Sequence, residues 1–368
     1  MSDNVESKSI FPQTGLIWGE GGSFTKSEIH VENGIIRLRH VQTIDEETYI
    51  IPPFCDPHVH GGWGLSFQDA EFGPLEEELK SRGILWAVPT LMNDSLENLK
   101  RIVSEFKMYK QGNPDSIFPY LRLEGPFINP EKKGIQSVSS ILDISPSNVN
   151  AILELDEIKV LTFAPEIHGV EGFVAKAMER DKILSIGHSD AGIEELDAVL
   201  KMGVNHMTHF PNAMRTLHHR DVGLMGAGLL REALQLEMIC DEVHTSFDFI
   251  HLVLKMRGPE FSAASDMVPP AGIDGKEFDG KAVRISGRRI TDEHGTIAGG
   301  SMTVPEQAKL LRERGVPEEE VLRITCTNAL RFFGEKSPSL REGQTANFLI
   351  CNRDLTVHSV FYKGSQIK

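Results

Sequence analysis

Short apolar runs alternate with amphipathic stretches through the middle of the chain. The runs finish at His60, Thr90, Glu124, Glu166, His188, His209, His244 and Asp266. Between them apolar residues recur at helical spacing, as in residues 95–110, 169–181, 192–202 and 247–257. Ser95 and Asn98 open the first of these as a cap would, and Gly203 closes the third. A strand–helix unit repeated in this way predicts an α/β fold, a (β/α)8 barrel of the TIM type. Residues 15–51 and 341–368 read differently, as short strands separated by turns such as Glu32-Asn33-Gly34. The two ends of the chain are therefore expected to pair as one small β-sandwich domain, residues 1–51 and 335–368, beside a barrel of residues 52–334. Residues 317–333 read as helical.

The strand pattern carries chemistry, because all but one of the eight runs end in His, Glu or Asp and a parallel barrel gathers those ends on one face. Glu124 follows the apolar Leu121 and Leu123 and precedes Gly125-Pro126. It reads as a strand that stops at a charge, before a loop carrying Lys132 and Lys133. A buried carboxylate without a partner is too costly to keep, so a metal ion is the expected partner. His58 and His60, two apart on a strand, share one face, and Gly61-Gly62 leaves room beside them for an ion. His188 and His209 stand at strand ends. Glu124 with two histidines would leave an open coordination position, as a catalytic site needs. His168, His206 and His251 read as packing residues, His206 facing away from His209. Asp266 in FSAASDMVPPAG suits a proton acceptor and donor; Pro269-Pro270 argues against the alternative of a helix cap. His218, His219 and Arg220 lie beside a turn with Asn212 and Ala213 and offer donors to a phosphate.

Composition narrows the function classes. The 368-residue chain is 40% hydrophobic and contains no apolar run long enough for a membrane span. A net charge of −15 argues against nucleic acid and makes a local basic cluster more informative. Cys55, Cys240, Cys326 and Cys351 are far apart and read as buried thiols of a reducing cytoplasm. The polar start, MSDNVESKSI, has no secretory h-region.

Taken together, LEGPFINPEKKG, GHSDA, THFPNAM with LHHRDVG, and the Asp266 strand resemble the N-acetylglucosamine-6-phosphate deacetylases of the amidohydrolase superfamily. The resemblance runs from about Ile50 to Gly334. It implies that Glu124, His188 and His209 are the main metal ligands and that Asp266 is the catalytic acid and base. It also implies that Asn212, Ala213, Arg220 and His244 hold a sugar phosphate, while residues 241–243 and Ile297, Ala298 and Gly299 line the sugar site. Arg220 would reach the site of a second subunit in a homodimer. His58 and His60 match members that can hold a second ion, so one or two divalent ions per subunit are implied, Zn2+ first and Fe2+ second. The implied substrate is a phosphorylated N-acetyl amino sugar, handled in the cytoplasm with no nucleic acid or membrane partner. Gln136 stands where such proteins commonly carry a substrate-contacting histidine, which leaves an N-acetylgalactosamine-6-phosphate or other N-acyl amino-sugar deacetylase as the alternative. TNAL and ANFLI also depart from the usual pattern, but in packing positions. A cyclic-amide hydrolase would want a lysine where the fourth strand ends in Ala164-Pro165-Glu166. A nucleobase deaminase leaves Glu124 unexplained. A non-catalytic binding protein leaves the ligands and Asp266 without a purpose.

Overall fold

The computed structural model describes residues 12–19, 21–44, 46–275, 277–278, 280–336 and 340–368. The N-terminal segment MSDNVESKSI lies outside these residues. Eight parallel strands run in chain order: Phe54–Val59, Ile84–Leu91, Leu121–Phe127, Ile158–Phe163, Ile183–Ile186, His206–Met207, Gln235–Met238 and Phe261–Ala263. The ring closes where Asp266 N donates to His58 O at 2.8 Å and His60 N to Met267 O at 2.8 Å. The first and third strands are buried along their whole length, as parallel strands covered on both faces must be.

The helices start and stop where local chemistry directs. Leu96–Gly112 begins at Ser95, whose hydroxyl accepts from Asn98 N, and Phe247–Arg257 begins at Ser246 in the same way. Residues 317–333 are helical, with a π turn at Arg323–Thr327 between two short α segments. No described helix is long and apolar enough to cross a membrane.

The first and last described strands share one seven-stranded sheet. Thr48–Ile51 sits at its centre, between Gln13–Trp18 and Phe348–Asn352. Asn33 and Gly34 both take positive φ, as a tight hairpin requires. The strand after that hairpin, Ile35–His40, meets the segment before Phe348: Ile36 N donates to Gln344 O at 2.8 Å. The sheet thus curls back on itself.

Two features differ from the sequence expectation. Glu124 does not end its strand; pairing with the fourth strand slips between Leu123 and Pro126, so Glu124 and Gly125 form a bulge within it. Gly125 has φ 128°, and a Cβ there would lie 2.2 Å from Asn93 Oδ1, so only glycine fits. The second difference is an antiparallel four-stranded sheet, Glu277–Phe278 to Ile297–Gly299, inserted after the eighth barrel strand. It is tied to the barrel where Gly300 N donates to Asp266 O at 2.7 Å.

Candidate metal centre

Bulges interrupt the strands that carry the first candidate groups. One interrupts the first strand between Asp56 and Val59, and the other carries Glu124. His188 and His209 each lie two residues past their strands, and Asp266 three past its own. All three have positive φ, 48°, 28° and 47°, a region non-glycine residues enter at a cost and which clusters at functional sites.

The side chains converge on Glu124. Its Oε1 lies 2.9 Å from His188 Nε2 and 2.8 Å from His209 Nε2, which are 3.1 Å from each other. His58 Nε2 and His60 Nε2 are 3.1 Å apart; they lie 3.7 and 3.5 Å from Glu124 oxygens and 3.4 and 3.2 Å from Asp266 Oδ1. Two groups result, Glu124 with His188 and His209, and Glu124 with His58, His60 and Asp266. Glu124 belongs to both.

Tautomers decide whether these groups suit a cation. His188 Nδ1 faces Lys132 O at 2.7 Å and His60 Nδ1 faces Thr90 O at 3.1 Å. A carbonyl only accepts, so each Nδ1 carries the hydrogen, and each neutral ring turns a bare Nε2 lone pair toward the carboxylates. Lone pairs aimed at carboxylate oxygens repel unless a cation lies among them. A tetrahedral ion with bonds of about 2.0–2.1 Å sets its ligands roughly 3.3 Å apart, close to the spacings here. The donor set fits a divalent metal. With protons alone, burial pulls His60 down, but the hydrogen bonds of Asp266 and Glu124 outweigh it and raise it to about 9. Burial likewise opposes ionisation of Glu124, yet His188, His209 and His60 hold it well below the usual carboxylate range. Burial also opposes a charged Asp266, but His58 and His60 keep its carboxyl low, so it stands ionised.

Above this cluster opens a cavity of about 330 Å³, lined by His60, Glu124, Gln136, His188, His209, Asn212, Ala213, His244, Asp266 and Ile297–Gly299. Gln136 is buried and donates through Nε2 to Glu124 Oε2 at 3.2 Å. His244, six residues beyond its strand, is held by Asp241 Oδ2 at 2.8 Å; burial opposes its protonation, and Asp241 outweighs that and raises it. Arg220 does not line the cavity. It is exposed and contacts His219 at 2.8 Å. His206 packs inside the barrel, whereas His168 and His251, expected to pack, are exposed. Lys132, Lys133 and Thr296 also line the cavity, although sequence reasoning had not placed them there. Two adjacent lysines in an acidic chain, shortly after Glu124, were the available signal. A larger cleft of about 580 Å³, at Trp18, Pro52 and Arg323, lies at the other end of the strands and touches none of the groups that could hold a metal.

A closed parallel barrel with His, Glu and Asp gathered at its C-terminal face defines a metal-dependent hydrolase scaffold. The amidohydrolase family matches residues 49–367, and the chain belongs to that family. It is similar to the crystal structure of N-acetylglucosamine-6-phosphate deacetylase from Thermotoga maritima, with a TM-score of 0.89 and 32% identity, covering 97% of this chain and 99% of that one. The N-acetylglucosamine-6-phosphate deacetylase of Bacillus subtilis is 28% identical over 337 residues, 87% of this chain and 84% of that protein. The N-acetylgalactosamine-6-phosphate deacetylase of Escherichia coli O157:H7 is 24% identical over 363 residues, 94% and 96% respectively.

Proposed function

We propose that the protein is a metal-dependent deacetylase that hydrolyses the N-acetyl group of an amino-sugar 6-phosphate, N-acetylglucosamine-6-phosphate first, giving acetate and the free amino sugar phosphate. The observation that carries the reading is the Asp266 carboxylate, 3.2 Å from His60 and 3.4 Å from His58 beside the shared Glu124 cluster, at the floor of the cavity. Glu124, His188 and His209 would hold one divalent ion, and His58 and His60 would hold a second with Glu124 and Asp266. Such an ion, Zn2+ on this nitrogen-rich donor set with Fe2+ as the rival, polarises the acetamide carbonyl and acidifies water. The Asp266 carboxylate accepts the proton of the attacking water and returns it to the departing amine nitrogen. Asn212, Ala213 and His244 face the same cavity and suit the sugar phosphate, with Lys132 and Lys133 adding positive charge nearby. Ile297, Ala298 and Gly299 wall the sugar ring.

A homodimer fits this reading. Leu217, Leu230, Leu252 and Met256 are exposed on and beside the neighbouring helices Gly223–Leu230 and Phe247–Arg257, an apolar face that a second copy would cover. Arg220, outside its own cavity, would then be free to serve the partner's. The four free buried cysteines suit the reducing cytoplasm. The test is acetate release across N-acetylated hexosamines with and without the 6-phosphate. Release from the glucosamine 6-phosphate derivative is expected to exceed the rest. Release from the galactosamine epimer alone would move the assignment to that sugar, and no release from any of them would overturn it.

A further inference from the structure

We infer that Thr208, gripped by Arg122, is the positioning residue that makes His58 a metal ligand and so controls occupancy of the His58–His60 half of the centre. The inference rests on the metal-centre reading above but not on the substrate.

Thr208 is fully buried beside His209, and its Oγ1 lies 3.1 Å from His58 Nδ1. Arg122, buried beneath the site, donates through Nη2 to the same Oγ1 at 2.7 Å. Its Nη1 donates to Pro57 O at 3.1 Å and to Glu237 Oε1 at 2.7 Å. One guanidinium therefore holds both the backbone entering His58 and the hydroxyl behind its ring.

His60 and His188 have their tautomers set by backbone carbonyls, whereas His58 Nδ1 meets the Thr208 hydroxyl. A hydroxyl can donate or accept, so on its own it would leave the tautomer open. Glu237 biases that choice. Its Oε2 lies 3.9 Å from His58 Nδ1, and a carboxylate beside a ring nitrogen favours a hydrogen there. Thr208 then accepts from both His58 Nδ1 and Arg122, and the His58 Nε2 lone pair is left to face Glu124 and Asp266. The second half of the centre thus depends on a hydroxyl that the first half, Glu124 with His188 and His209, does not touch.

Zinc binding by equilibrium dialysis of the purified full chain tests this without any substrate. The unaltered protein is expected to take two equivalents. Thr208→Val should weaken one of the two by about 10- to 100-fold and leave the other unchanged, while Thr208→Ser should restore both. Equal weakening of both ions, no weakening, or failure of serine to restore the lost one would overturn the proposal, as would a single equivalent in the unaltered protein. Nitrogen NMR of the ring in the zinc-loaded unaltered protein gives a second reading that needs no variant. His58 should carry its hydrogen on Nδ1; a hydrogen on Nε2 would sink the assignment. Absence of acetate release would overturn the deacetylase reading and leave these measurements standing.

Discussion

Two clusters of buried charge lie one above the other in the barrel, and they are completed differently. The lower one joins Arg122, Glu237, His206 and Ser185. Arg122 meets Glu237 at 2.7 Å, His206 Nε2 lies 3.3 Å from the same oxygen, and His206 Nδ1 lies 2.8 Å from Ser185 Oγ. Here a guanidinium answers the carboxylate. Burial opposes the charge of Glu237, yet Arg122 holds its carboxyl well below the usual range. The upper cluster has two carboxylates and four histidines, and the imidazole hydrogens of His60 and His188 are committed to carbonyls outside it. The chain balances the charge of the lower cluster by itself, although Arg122 Nε and Glu237 Oε2 find no hydrogen-bond partner there, whereas the upper one calls for a cation from outside. A buried salt bridge of the first kind is structure; a donor set of the second kind is a site.

The sharpest break of that contrast is Glu124→Gln. Because Glu124 belongs to both halves, its loss should strip zinc from the protein and abolish turnover, which metal analysis and acetate release would show. Zinc retained at its full amount would mean that Glu124 works as the lower carboxylate does. Asp266→Asn comes next. Losing a general acid and base should lower kcat by about 10²- to 10⁴-fold. Zinc on Glu124, His188 and His209 should stay, as metal analysis would show. Unchanged turnover would remove the role assigned to Asp266.

The lower cluster should respond in the opposite currency. Glu237→Leu leaves Arg122 buried without its carboxylate and should cost about 3–5 kcal/mol of stability. Thermal melting would show this as a drop of several degrees, with the Glu124–His188–His209 ion retained. A variant that melts normally but loses that ion would merge the two clusters into one.

How much of this was legible in sequence follows from the same contrast. The eight barrel strands and the residues at their ends could be read because buried parallel strands are continuous apolar runs, and polar residues at their ends stand out. His58, His60, His188 and His209 were visible for that reason. Glu124 was visible as a charge but misplaced, since Gly125-Pro126 reads as a turn and only strand pairing reveals the bulge. The four-stranded insertion escaped notice because strands such as Lys281–Ser286 are polar and exposed, and so resemble a loop. The Arg122–Glu237 pair was invisible. Each residue lies within an apolar strand more than a hundred positions from the other, and only barrel closure brings them together.

The smallest expected effect concerns the residue the structure leaves outside. Arg220 is exposed on a tight turn where His218 N donates to Asp221 O at 2.8 Å, and it is absent from the cavity wall of its own chain. Within one chain, then, Arg220→Ala should change nothing. In a dimer that presents it to the neighbouring cavity, it loses a charge-assisted contact worth about 1.5–3 kcal/mol. KM for the phosphorylated sugar should then rise by roughly tenfold or more, and KM for the unphosphorylated analogue should not move. Diluting the unaltered protein until it dissociates should reproduce the same rise. Equal effects on both sugars would remove the phosphate role, and no effect on either would leave phosphate recognition to groups of the same chain, His244 and the Lys132–Lys133 pair.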